Sequence, residues 1–351
     1  MNRHGTILSL VLLCAGALCA QQTPPAKKSP APAKKSPSPQ ALRLSPKLTP
    51  GQVFRYQLEF RTVTENHHEG LVQDPQSASQ LKISWDALVR VEVLAVKPED
   101  SAPVANSEQG TPVRIRTTYE RSTAKLESDS FDPAASLMQK QYQNLEGHAI
   151  EFTLQADGNV TDVSGLEDVA VDQQAADAAR QWVNQLVMSA SLPAEGIVPG
   201  QHWTAERAAQ LAPLAGIVWR TDSTYLRDEN CRPAALPGEN PPPASGAPET
   251  CAVILTRLEM GQPKPLRDPT PDDYRKRGLR TSGTWHGTGE SLCYISRRTG
   301  WVVSSTQSGS EEMNITIASV TNSSTVHYAG KVTSHSQLSL LPGDSSAPAP
   351  H

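Results

Sequence analysis

The sequence predicts a mainly β protein: antiparallel sheets, arranged as a sandwich or an open barrel-like form, from two related halves with two or three packed helices. Three observations point there. From Gln52 onward, β-branched and aromatic residues alternate with polar ones in run after run, the spacing of strands with one wetted face. Helical periodicity is confined to a few short segments. A Pro-Gly-Gln turn that opens the first strand run occurs again in the second half.

Residues 1–20 have the layout of a secretory signal peptide: Arg3, an apolar run from Ile7 to Leu13, then small residues up to Ala20, with cleavage after Cys19 or Ala20. A leucine precedes both Cys14 and Cys19, where a lipid-attachment signal wants a small residue. No later segment has the roughly 20 apolar residues of a membrane span, so no transmembrane segment is expected, and the mature chain is read as periplasmic or secreted.

Residues 21–47 form a tether rich in Pro and Lys, with AKKSP at Ala26 and again at Ala33. Such composition buries no core and favours an extended, solvated chain. Its basic residues (Lys27, Lys28, Lys34, Lys35, Arg43, Lys47) have no acidic neighbours, and removing these six and Arg3 leaves 25 basic against 36 acidic residues, a net −11, on the rest of the chain. The tether is therefore a spacer that offers a contact to an anionic envelope surface.

The first β-rich half, 48–195, holds expected strands at Val53 to Thr62, Leu81 to Val96, Val113 to Leu126 and Ile150 to Leu154. A helix opens at Asp132 and Pro133, carries Leu137, Gln141 and Leu145 on one stripe, and closes at Gly147. A second, from about Asp172 to Ser189, places Ala175, Ala179, Trp182 and Leu186 on one face. The second half, 196–341, holds a strand at Ala252 to Leu258, a short helix at Thr270 to Arg277, and three or four strands between Thr284 and Leu341. Residues 342–351 are a disordered tail.

Within the second half, a Pro- and Gly-rich loop at 232–250 separates Cys231 from Cys251. In an oxidising compartment a disulfide between these two would hold the loop's ends, leaving Cys293 as an odd thiol buried in a strand.

Two offsets suggest an internal duplication. Pro50-Gly51-Gln52-Val53-Phe54 recurs as Pro199-Gly200-Gln201-His202-Trp203, and Gly147, Ile150, Phe152, Gly158 and Val160 match Gly289, Leu292, Tyr294, Gly300 and Val302. Gly51, Gly158, Gly200 and Gly300 are accordingly the expected structural turn residues.

The opening L-x-P-G-Q-x-aromatic motif (Leu48 to Phe54), the strand–turn–strand unit from Phe152 to Val163 and the P-G-Q-x-W segment from Pro199 to Trp203 resemble a family of uncharacterised exported bacterial β-rich proteins. The resemblance spans most of residues 48–340. It implies no activity, and hence no catalytic residue.

Signatures of chemistry are weak. DGNVTDVSGLED, residues 157–168, spaces Asp157, Asn159, Thr161 and Asp168 like a calcium loop, but Asp162 stands where that loop needs glycine and the chain enters as an alternating strand. Asp157-Gly158 is instead a hairpin turn. Gly289-Glu290-Ser291-Leu292-Cys293 misses the final glycine of a nucleophile elbow and lies in a strand. His67 and His68 are adjacent on an extended chain and point apart, and His327 and His335 sit among hydroxyl residues. The basic group Lys264, Arg267, Arg275, Lys276, Arg277, Arg280, Arg297 and Arg298 is interleaved with acids, which reads as a solvated face and not a nucleic-acid site.

No cofactor or metal site is expected. The function these features favour is a non-enzymatic envelope or periplasmic binding protein for an apolar or small ligand. The alternatives are a hydrolase acting on envelope polymers and a structural or assembly partner.

Overall fold

The computed structural model describes residues 41–44, 46–70, 80–95, 112–129, 133–155, 160–167, 192–193, 195–209, 213–232, 249–321 and 324–341. The first half supplies β1 (Val53–Gly70), β2 (Gln80–Leu94), β3 (Val113–Ser128), helix α1 (Pro133–Gln143), β4 (Ala149–Leu154) and β5 (Val160–Ser164). The second supplies β6 (His202–Ala208), β7 (Val218–Asn230), β8 (Thr250–Gly261), α2 (Asp272–Lys276), β9 (Leu279–Ser296), β10 (Val302–Ser319) and β11 (Thr325–Leu340).

The 11 strands among the described residues join one antiparallel sheet in the order β5-β4-β3-β2-β1-β11-β10-β9-β8-β7-β6. Consecutive strands lie side by side except β5 and β6, which stand at opposite edges. The chain's first and last strands meet in the middle, paired from Tyr56↔Leu340 to Gly70↔Val326. Of the two forms expected from the sequence, sandwich or open barrel-like, the structure shows one open sheet, with β5 and β6 as its edges among the described residues.

Alternation decides which face is buried. Phe54 and Tyr56 on β1, Trp85, Ala87, Val89, Val91 and Val93 on β2, Ile115 and Tyr119 on β3, and Ile150, Phe152 and Leu154 on β4 form one buried cluster on what is called here the core face. The register carries the same face across β11 into the second half, where Tyr225, Ala252, Ile254, Cys293 and Ile295 form another cluster. The end of β9, Ser291 to Ser296, is buried on both faces, because Leu292 and Tyr294 pack on the opposite side with Val253 and the disulfide cysteines.

Strand β7 is absent from the sequence-based expectation, and its composition explains why. Its core-face positions include Thr221 and Ser223, both buried, so hydroxyl groups stand where alternation looks for hydrocarbon. Ser223 and Thr256 satisfy each other across β7 and β8 at 2.9 Å.

Helix α1 forms where expected and docks on β2 and β3. The Ser122 hydroxyl accepts from the Trp85 indole at 2.9 Å and donates to the carbonyl of Tyr142 at 2.5 Å, while the Tyr142 ring lies 5.0 Å from that of Trp85. The expected helix at 172–189 lies outside the described residues, as do Gly158 and 233–248 of the Pro-rich loop. At the end of the segment read as tether, Leu42 pairs with Ile197 and Leu44 is buried in the second-half cluster.

Candidate functional site

The two Pro-Gly-Gln turns are built alike. Gly51 and Gly200 have φ of 88° and 83°, the left-handed region that the third residue of such a turn requires. Gly51 donates its N–H to Val93 at 2.8 Å, and Gly200 donates to Tyr225 at 2.6 Å. In return Val93 donates to Gln52 at 2.9 Å and Tyr225 to Gln201 at 3.0 Å. The Gln52 and Gln201 side chains each accept from the backbone N–H three residues earlier, both at 2.9 Å.

The second offset does not survive in the structure. Ile150 and Phe152 face the core, whereas Leu292 and Tyr294 face the other side of the sheet. Gly147 follows α1 with φ of 83°, while Gly289 lies within β9 opposite Gly309. Burial of both β9 faces removed the polar-apolar contrast that would have shown its phase. Gly300, with φ of 65°, does close the β9–β10 hairpin, donating to Ser296 at 2.8 Å.

Cys231 and Cys251 are bonded, with a Cα–Cα distance of 4.9 Å. A polar lock adjoins them. Tyr294 donates to Glu229, the Arg232 guanidinium donates to the Tyr294 hydroxyl at 2.8 Å, and Ser304 donates to the carbonyl of Arg232 at 2.6 Å. Burial works to raise the Glu229 carboxyl, but the Tyr294 hydrogen bond and the charges of Arg227 and Arg232 prevail and hold it below its ordinary value. Cys293 is free and buried on the core face, where desolvation pushes its thiol up to about 12.

The remaining sequence candidates are dispersed. Ser291 is buried in mid-strand between Thr256 and Gln307, with no strand-to-helix turn. His67 and His68 pair with Ala329 and Tyr328, and His327 shares a hydrogen bond with Asn314 at 2.8 Å. Thr161 and Asp162 sit in β5, where Asp162 adopts φ of 51° at a register shift and its carbonyl accepts from Arg114 at 2.7 Å. Asp157, Asn159 and Asp168 lie outside the described residues. The basic group splits in two: Arg275 and Arg280 on Asp268, Arg297 on Asp228 and Arg298 on Glu249. Among the described residues, no group of three His, Cys, Asp or Glu could hold a metal ion.

The arrangement that sequence reasoning missed is a small apolar cleft on the core face. It has a volume of about 40 Å3 and is lined by Tyr56 and Leu58 of β1, Val89 and Val91 of β2, Thr117 of β3, Phe152 of β4, Trp301 and Val302 at the start of β10, and Leu338 of β11. β4 and β10 lie five strands apart in the sheet order. At about 4.8 Å per strand a flat sheet would separate them by roughly 24 Å, so for both to line one small cleft the sheet must curl around it.

Two contacts fasten the curl. The Tyr56 hydroxyl donates to the carbonyl of Val302 at 2.6 Å, and the Phe54 and Trp301 rings stack with centroids 6.3 Å apart. Val302 stands beside a register shift between β9 and β10, the kind of irregularity that bends a strand and frees a backbone group from the ladder. Burial raises the Tyr56 phenol well above its usual value, so it stays protonated as a donor.

No protein-family model matches the chain, and no curated protein matches it. Among solved structures, lipovitellin, in a study of its lipid–protein interactions, aligns with a TM-score of 0.39 at 9% identity over 86% of this chain. The chain spans only 26% of lipovitellin's own length. The outer membrane protein OprG from Pseudomonas aeruginosa aligns at a TM-score of 0.13 and 4% identity, over 84% of this chain and 99% of its own. No helix among the described residues is long and apolar enough to cross a membrane.

Proposed function

We propose that the protein is an exported, non-enzymatic binding protein that holds an apolar ligand against the core face of its curled sheet. The observation that carries this reading is the cleft itself, whose walls are hydrocarbon except for Thr117, the tied-back hydroxyl of Tyr56 and the Trp301 indole bonded to it. Leu58, Phe60 and Leu338 beside it are only partly buried, so apolar surface continues along β1 and β11 beyond the cleft. At about 40 Å3 the cleft has room for one end of a ligand only, and the rest would lie along that apolar surface. The disulfide supports export, since such bonds persist in oxidising compartments. The shared geometry of the two Pro-Gly-Gln turns supports descent from one duplicated β module.

The test is a titration with the apolar fluorophore N-phenyl-1-naphthylamine. Wild-type protein should bind it saturably, and Val91→Ile, which adds one methylene to the cleft wall, should weaken binding. Absence of saturable binding, or equal binding by the variant, counts against the reading.

A further inference from the structure

On the reading that the cleft binds a ligand, we infer that Thr117 is its polar anchor and that the ligand is a neutral amphiphile, a hydrocarbon chain ending in one hydrogen-bonding oxygen. Thr117 lies on β3 between Val91 of β2 and Ile150 of β4, with Ile115 and Tyr119 next along its own face. It is 1% exposed, and its Oγ1 is buried without a hydrogen-bond partner. A buried hydroxyl left unpaired is costly, and valine has the same shape without that cost. The chain nevertheless places a hydroxyl at the one core-face position of β3 that lines the cleft.

The other polar groups on the wall are already engaged, because the Tyr56 hydroxyl donates to Val302 and the Trp301 indole donates to Tyr56. Thr117 is therefore the group left to meet a polar atom of the ligand. Among the described residues no Asp, Glu, Lys, Arg or His lines the cleft, so an ionised head group would enter without a counter-charge and lose its hydration. A hydroxyl or carbonyl oxygen fits instead, with its first carbons in the cleft and the rest of the chain along Leu58, Phe60 and Leu338.

The experiment measures displacement of N-phenyl-1-naphthylamine by decane, 1-decanol and decanoate at pH 8, from wild type, Thr117→Val and Thr117→Ser. One hydrogen bond corresponds to roughly a fivefold change in affinity. The expected result is that Thr117→Val weakens 1-decanol by about that factor and leaves decane unchanged, that Thr117→Ser restores 1-decanol, and that decanoate binds wild type more weakly than 1-decanol. The unfolding midpoint of unliganded Thr117→Val should be unchanged or raised.

Equal affinity of wild type and Thr117→Val for 1-decanol would overturn the anchor and leave the hydroxyl to an ordered water only. Decanoate binding more tightly than 1-decanol would overturn the neutral head group. A lowered midpoint in Thr117→Val would assign the hydroxyl a structural partner instead. If wild type binds none of the three probes, the underlying binding function falls as well.

Discussion

The hydroxyl of Tyr56 on the first strand donates to the carbonyl of Val302 at the start of the tenth, at 2.6 Å and across 246 residues of chain. The two strands are separated in the sheet by β11, so this bond ties the curl of the sheet and not a ladder rung. Tyr56→Phe keeps the ring and leaves a buried carbonyl unpaired. Urea unfolding should show a loss of about 1–3 kcal/mol. An unchanged midpoint would mean that the curl is held by the Phe54–Trp301 stack and the ladder alone.

The glycine turns predict an order of costs. Gly200→Ala adds a methyl into open space, so its penalty is backbone conformation alone, about 1–2 kcal/mol. Gly51→Ala should cost a similar amount, because the turn it serves has the same hydrogen bonds. Gly283→Ala should cost more than either, since its Cβ would lie 2.0 Å from the Asn314 carbonyl at a φ of 126°. Thermal or urea denaturation of the three variants ranks them.

Removing the Cys231–Cys251 bond, by reduction or by the double serine variant, should lower stability by about 3 kcal/mol for a loop of this length. For the chain beginning at residue 21, a thiol reagent at pH 8 should find no reactive group in the folded protein and one after denaturation. Burial that raises the Cys293 thiol to about 12 leaves almost no thiolate at that pH.

Acid should weaken the fold through Glu229 and Glu151. Burial acts to raise both carboxyls, but Tyr294, Arg227 and Arg232 around the first, and Arg116 and Arg114 around the second, hold them below the ordinary 4.5. A carboxylate depressed in the folded state stabilises it above the unfolded value, and that contribution is lost as pH falls through the folded one. Unfolding free energy should therefore decline below about pH 4.5, and Glu229→Gln should lower stability at pH 7 while making the acid decline shallower. Parallel pH profiles for wild type and variant would contradict the assignment.

Much of the fold is legible in the sequence because alternation marks one-sided strands. β1, β2, β3 and β4 have hydrocarbon at every second position of at least part of their length, and Cys231 and Cys251 flank a loop that cannot hold its own ends. Where both faces are buried, as at Ser291 to Ser296 of β9, or where the core face carries hydroxyls, as at Thr221 and Ser223 of β7, alternation loses its contrast. The second repeat offset and strand β7 failed for those reasons. The cleft was not legible at all, since Tyr56, Thr117, Phe152 and Val302 meet only when the sheet curls. One trace of it stands in β3, where Thr117 interrupts Val113, Ile115 and Tyr119.

Native mass spectrometry of the protein purified from its own envelope tests most directly whether the curled core face holds an apolar ligand. Wild type should carry a mass increment of one small neutral molecule, reduced or absent on Val91→Ile purified the same way. A wild-type spectrum showing only the bare chain, or the same increment on both proteins, would contradict it.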